Sequence, residues 1–92
     1  MNLPLQNVRV IDLTQALAGP YATMLLGDMG ADVIKIEPPG SGDQSRGWGP
    51  PFLEGESAYF LCCNRNKRSL TLDIGSPAGQ GVMRDLLAGA DV

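Results

Sequence analysis

Few side chains in this sequence could do chemistry, and they are of restricted kinds. It holds ten acidic and seven basic residues, no histidine, and two cysteines that stand side by side as Cys62 and Cys63. Histidine is the commonest general base and metal ligand; without it, chemistry falls to carboxylates, amides or the groups of a bound ligand. The adjacent cysteines lack the spacing of a metal site and have no ordinary disulfide partner, so they read as two small apolar packers in a reducing cytosol. No metal ligand set is expected.

Anions could be received at two expected helix starts, Pro20 and Ser76, where unpaired backbone N–H groups favour negative charge. The cluster Arg65, Lys67 and Arg68 reads as a solvated turn, placed before a strand and so at the edge away from a ligand. The turn after the first strand is TQALAGP, not GxGxxG, which disfavours the usual dinucleotide fingerprint, and no GxxxxGK[ST] is present. A net charge of -3 gives no overall field to gather nucleic acid or an anionic membrane. No apolar stretch approaches the roughly 18 residues of a membrane span, and the N-terminus lacks a basic leader and apolar core. The expectation is a cytoplasmic protein with neither nucleic-acid nor membrane partner.

The elements that must position these groups alternate regularly. VRVIDL, Val8 to Leu13, reads as a buried strand. A helix then runs from Pro20 in its first turn to Gly30 just past its end. Its apolar residues Tyr21, Met24, Leu25, Leu26 and Met29 cover more than one face, as in an element pressed on a sheet and on a further neighbour. ADVIKIE, Ala31 to Glu37, is a second β-branched strand. From Pro38 to Pro51 eight of fourteen residues are Pro or Gly. Irregular segments of such length are uncommon in compact domains unless they serve a purpose, and Trp48 within it calls for burial, in this chain or against a partner chain. Ser57 caps a short helix. SLTLDI, Ser69 to Ile74, reads as a third strand with Leu70, Leu72 and Ile74 alternating against polar neighbours. Ser76 and Pro77 start a helix reaching about Ala88. The closing ADV repeats Ala31 to Val33 and reads as a fourth strand cut off at its beginning.

This order calls for an α/β fold with a parallel sheet and right-handed crossovers. The turns at Thr14 to Gly19, Pro38 to Gly55 and Asp73 to Ser76 leave the strands' C-terminal ends, the common edge at which open α/β sheets bind ligands. The Pro/Gly segment belongs to that edge.

Taken together, VIDLTQALAGPYATMLLGDMGADVIKIEPPGSGD, RGWGPPF and NRNKRSLTLD resemble the opening of the family III coenzyme A transferases, with the likeness running from Leu5 to Val92. The resemblance implies that residues 1–92 form the N-terminal part of a large Rossmann-like domain, its parallel sheet flanked by helices and truncated before the fourth strand is complete. It further implies two interlocked subunits forming a homodimer. The family's reaction moves CoA between carboxylic acids: an Asp carboxylate attacks the donor thioester to give an enzyme-bound anhydride, then an enzyme–CoA thioester. That Asp is expected beyond Val92, so no residue of this chain is assigned a catalytic role, and a non-catalytic CoA-binding fragment stands as an alternative. Acyl-CoA and a carboxylic acid are the expected partners, CoA entering as substrate with no permanently bound cofactor.

Carried over by the same resemblance, the CoA-lining positions are Leu17, Ala18, Pro38, Leu72, Asp73, Ile74 and Gly75. Two of them depart from some formyl-CoA transferases, which carry a polar amide at Leu17 and an Arg at Pro38. The family also includes α-methylacyl-CoA racemases, which tend to shorten the segment between the second and third strands; this chain keeps GDQSRGWGPPFLEGESAYF in full.

Overall fold

The computed structural model describes residues 2–92. Strand β1 (Arg9–Asp12) leads into helix α1 (Ala18–Asp28) and strand β2 (Asp32–Glu37). A 3-10 turn (Gln44–Gly47) and a small hairpin of β3 (Phe52–Leu53) and β4 (Glu56–Ser57) follow, then helix α2 (Ala58–Leu61), strand β5 (Lys67–Thr71) and helix α3 (Pro77–Ala88).

The main sheet is parallel, ordered β1-β2-β5, with Val10 opposite Val33 and Ile36 opposite Leu70. Beyond β1, the Asp91 and Val92 amides donate to the Arg9 carbonyl while Ile11 N donates to Val92 O at 2.9 Å. The residues expected to open a fourth strand thus lie beside β1, although they form no strand themselves. Crossovers through α1 lead away from β1 on one side and α3 returns the chain to the other. The order therefore reverses at β1, and the C-terminal end of such a strand is where a crevice opens.

Local chemistry explains most boundaries. Ser57 and Ser76 cap α2 and α3, accepting from Phe60 N and Gly79 N, as their hydroxyls were expected to. Gly30 follows α1 at φ 105°, a conformation costly for any residue with a Cβ. Helix α1 begins two residues before Pro20, so Leu17 is its N-cap and Ala18 its first residue. Its inner side buries Pro20 and Met24, but Tyr21, Leu25 and Met29 remain 40–51% exposed. The second neighbour expected for this helix is not found among the described residues. A small apolar cluster of Val10, Ala31 and Val33, joined by Leu5, Val8 and Leu26, fills the space under the helix.

Three expectations are corrected. The third strand starts at Lys67 and stops at Thr71, because Lys67 and Arg68 find acidic partners on the sheet and Asp73 turns the chain, its Oδ1 accepting from Gly75 N at 3.0 Å. Leu72 to Gly75 consequently belong to a turn, and Ile74 is half exposed. The Pro38–Gly55 segment is not structureless: besides the 3-10 turn it carries the hairpin, whose Glu54 and Gly55 both have positive φ, as a two-residue hairpin turn requires. Within this chain Trp48 stays 40% exposed, edge-on to Tyr59. Cys63 is a buried packer, but Cys62 is exposed because it lies at the end of α2.

Candidate functional site

Three strand-end turns meet around a cavity of about 150 Å³. Leu13 and Gln15 come from the turn after β1, Pro38 and Pro39 from the turn after β2, and Leu72, Asp73 and Ile74 from the turn after β5. The volume is smaller than a complete small-molecule site, roughly 300 to 1,000 Å³, and suits one part of a larger ligand. Of the residues expected at a ligand, it gathers Pro38, Leu72, Asp73 and Ile74. Gly75 stands beside them through its bond to Asp73. Leu17 and Ala18 do not line the cavity; they are exposed at the start of α1, after the same turn that contributes Gln15. Close packing sets the third turn: a Cβ on Gly79 would strike the Asp73 carbonyl, so only glycine lets α3 start this near.

Beneath the turns lies a set of buried charges. Successive side chains of a strand alternate in direction, so Asp12, Lys35, Glu37, Lys67 and Ser69 share one face of the sheet. Lys67 Nζ lies 3.0 Å from Asp12 Oδ2 and donates to the Pro20 carbonyl at 3.0 Å. Lys35 Nζ lies 2.8 Å from Asp43 Oδ2 and donates to the Thr14 carbonyl at 2.9 Å. Arg46 grips Glu37 with two bonds of 2.6 Å, and its guanidinium covers the Phe60 ring. Both lysines and their aspartates are at most 2% exposed at the side chain. Charges so buried must be paired.

The pairing sets their protonation. Arg46 above all, with Ser69 and the Asp43 amide, overcomes burial and holds Glu37 at about 2. Burial pushes the Asp43 carboxyl up, but Lys35, both polar groups of Ser45 and the Ala16 amide together bring it to about 2. Burial also raises Asp12, and is outweighed by Thr14, Thr23 and Lys67, so its pKa falls below the ordinary value. Asp43 Oδ2 receives no well-aligned hydrogen bond and is compensated by the Lys35 charge alone.

The sequence reading missed this network. Its signals were Lys35 and Glu37, alternating with Ile34 and Ile36 in a β-branched strand, and the charges of Asp43 and Arg46 in a loop rich in Pro, Gly and Ser. The basic cluster divides: Arg65 and Arg68 make exposed pairs with Asp28 and Asp32, while Lys67 turns inward under α1. No group of three or more His, Cys, Asp or Glu side chains is arranged for a metal among the described residues.

Fold and edge together define an α/β protein that presents strand-end turns to a ligand where the strand order reverses. The chain belongs to CoA-transferase family III, whose model matches residues 5–92. It is 56% identical over 89 residues to a succinyl-CoA:glutarate CoA-transferase of Mus musculus, covering 97% of this chain and 20% of that protein. A formyl-CoA:oxalate CoA-transferase of Rhodopseudomonas palustris is 47% identical over 92 residues, the whole chain and 22% of the relative. Among solved structures, a CAIB/BAIF family protein from Brucella suis superposes with a TM-score of 0.91 at 47% identity, over 99% of this chain and 25% of that one. The chain thus spans about a fifth to a quarter of the length of these relatives.

Proposed function

We propose that this chain supplies the N-terminal part of an enzyme that transfers CoA between carboxylic acids, within a Rossmann-like large domain. The observation that carries the reading is the single cavity shared by the turns after β1, β2 and β5. In this reading the CoA moiety of an acyl-CoA lies along the sheet edge, against Pro38 and Leu72 to Gly75, with its thioester toward Gln15, Leu17 and Ala18 at the start of α1. The Leu17, Ala18 and Gly19 amides have no partners within the helix and can face a carbonyl oxygen or a carboxylate. The aspartate that would carry the acyl group and then CoA lies outside these residues. All the buried acids described here are committed to ion pairs, which suits support rather than nucleophilic attack.

Relatives named for succinyl-CoA with glutarate, and for formyl-CoA with oxalate, favour short acids as donor and acceptor. An apolar Leu17 at the start of α1 and Pro38 in place of a cation favour the former pair over the latter. The full segment between β2 and β5 favours transfer over the racemisation known in the same family. A homodimer in the cytoplasm completes the proposal, the exposed side of α1 being one surface left for further protein to cover.

The test is an assay of the intact gene product with succinyl-CoA and glutarate, followed by chromatography of the thioesters. Glutaryl-CoA should appear in equal amount to succinate. If succinyl-CoA is merely hydrolysed or left unchanged with every short acid tried, the proposal is wrong. Exchange of an α-proton of a branched acyl-CoA in deuterated water, without CoA transfer, would support the racemase instead.

A further inference from the structure

The turn between β1 and α1 is held from outside at three consecutive residues. The Thr14 carbonyl accepts from Lys35 Nζ at 2.9 Å, Gln15 Oε1 accepts from Gln44 N at 3.4 Å, and Ala16 N donates to Asp43 Oδ1 at 3.2 Å. Between these contacts Ala16 has φ 72°, a left-handed conformation seldom taken by a residue with a Cβ. Strained backbone of this kind persists only where surrounding contacts over-determine it. Here the contacts come from β2 and from the Pro/Gly segment, whose Asp43 is itself fixed by Ser45 N and Ser45 Oγ at 2.9 and 2.8 Å.

We propose that Lys35 and Asp43 are positioning residues: the buried pair locks Ala16 in its left-handed conformation and thereby sets where Gln15, which lines the cavity, and the first residues of α1 stand. Neither acts on a ligand directly. The inference rests on the CoA-site reading for its consequence in catalysis, but its structural part stands without it. It also gives the Pro/Gly segment a task. That segment carries Asp43 under the turn, and Gly42 lets it pass so near the sheet that a Cβ there would lie 2.5 Å from Glu37 Oε2.

The experiment uses the intact protein and two readouts, amide exchange and steady-state kinetics. In the unaltered protein the Ala16 amide should exchange as slowly as the ladder amides of β2; exchange at the rate of an open turn overturns the proposal whatever any variant does. The double variant Lys35→Met/Asp43→Leu removes both charges at similar volume, a change that buried ion pairs often tolerate. It should stay folded but melt below the parent, because the Thr14 carbonyl, Ala16 N and Ser45 lose their partners, and exchange at Gln15 to Leu17 should be faster by about tenfold or more. KM for the acyl-CoA should rise by about tenfold with a smaller fall in kcat. Adding Ala16→Gly, which takes positive φ without a Cβ, should recover part of the KM loss, a rescue that a purely stabilising pair would not show. Unchanged exchange in the turn of the folded double variant overturns the proposal. If that variant does not fold, Asp43→Asn replaces it, read by the same exchange and the same Ala16→Gly rescue. Should the parent transfer no CoA, the functional reading fails, while exchange alone still judges the lock.

Discussion

Two sets of ion pairs do different work in this molecule. Arg68 with Asp32 and Arg65 with Asp28 lie at the N-terminal side of the sheet with their arginines about two-thirds exposed. Lys67 with Asp12, Lys35 with Asp43 and Arg46 with Glu37 lie under the strand-end turns, where the lysine pairs are almost completely enclosed. Water competes for the first set, so each contributes little and can be lost without rearrangement. Removing one partner of the second leaves a buried charge without its counter-charge. The difference shows where the fold invests its specificity: at the edge that shapes the ligand cavity, and in the loop that crosses it.

Changing a single partner of a fully buried pair should have the largest effect. Lys67→Met strands the Asp12 carboxylate beneath α1 and is expected to cost about 3–5 kcal/mol, a large part of the 5–15 kcal/mol typical of a folded domain. Urea denaturation of the intact protein checks this, and a loss below about 1 kcal/mol would remove the contrast with the surface pairs. Arg46→Ala gives up the two-pronged bond to Glu37 and the cover over Phe60, but Glu37 keeps Ser69 Oγ and the Asp43 amide. Because charged hydrogen bonds contribute about 1.5–3 kcal/mol and Arg46 is one-third exposed, an intermediate loss is expected. Limited proteolysis should show it first as cleavage between Pro38 and Gly55.

The same contrast has a pH signature. Glu37 and Asp43 are both held at about 2, below their ordinary values of 4.5 and 3.8. A carboxyl depressed by folding adds stability that is complete above its unfolded pKa and disappears as pH falls toward the folded one. Stability should therefore be level near neutrality and decline from about pH 4.5 down to 2, with the Pro/Gly segment loosening in that window. The decline should persist in Arg68→Ala and be reduced in Glu37→Gln. Arg68→Ala should have the smallest effect of all, under about 1 kcal/mol; a larger loss would make the exposed pair more than a surface feature.

Much of this architecture was legible in the sequence, and the reasons are local. Ser57, Ser76 and Gly30 announce helix boundaries through side-chain or backbone chemistry confined to a few residues, and α3 spans Pro77–Ala88 as its pattern indicated. The convergence of the turns followed from strand and helix alternation alone. The buried charges did not, because Lys35 and Glu37 look like ordinary solvent-facing residues until their partners, far along the chain, come to rest on the same face. For the same reason the third strand was placed too late: apolar alternation marked Leu70 to Ile74, whereas the ladder begins at Lys67, a residue whose partner Asp12 is supplied by β1. Leu17 and Ala18 were expected at the ligand and stand at the right turn, but Leu13 and Gln15, not singled out in the sequence, are the residues of that turn that line the cavity.

Hydrogen exchange of the intact protein with and without CoA tests the central claim most directly. The account predicts slower exchange on CoA binding in two separated segments, Leu13 to Ala18 and Leu72 to Ser76, with little change at the N-terminal ends of the strands. Slowing confined to the β3–β4 hairpin or to Arg65 to Arg68, with both turns unaffected, would contradict it.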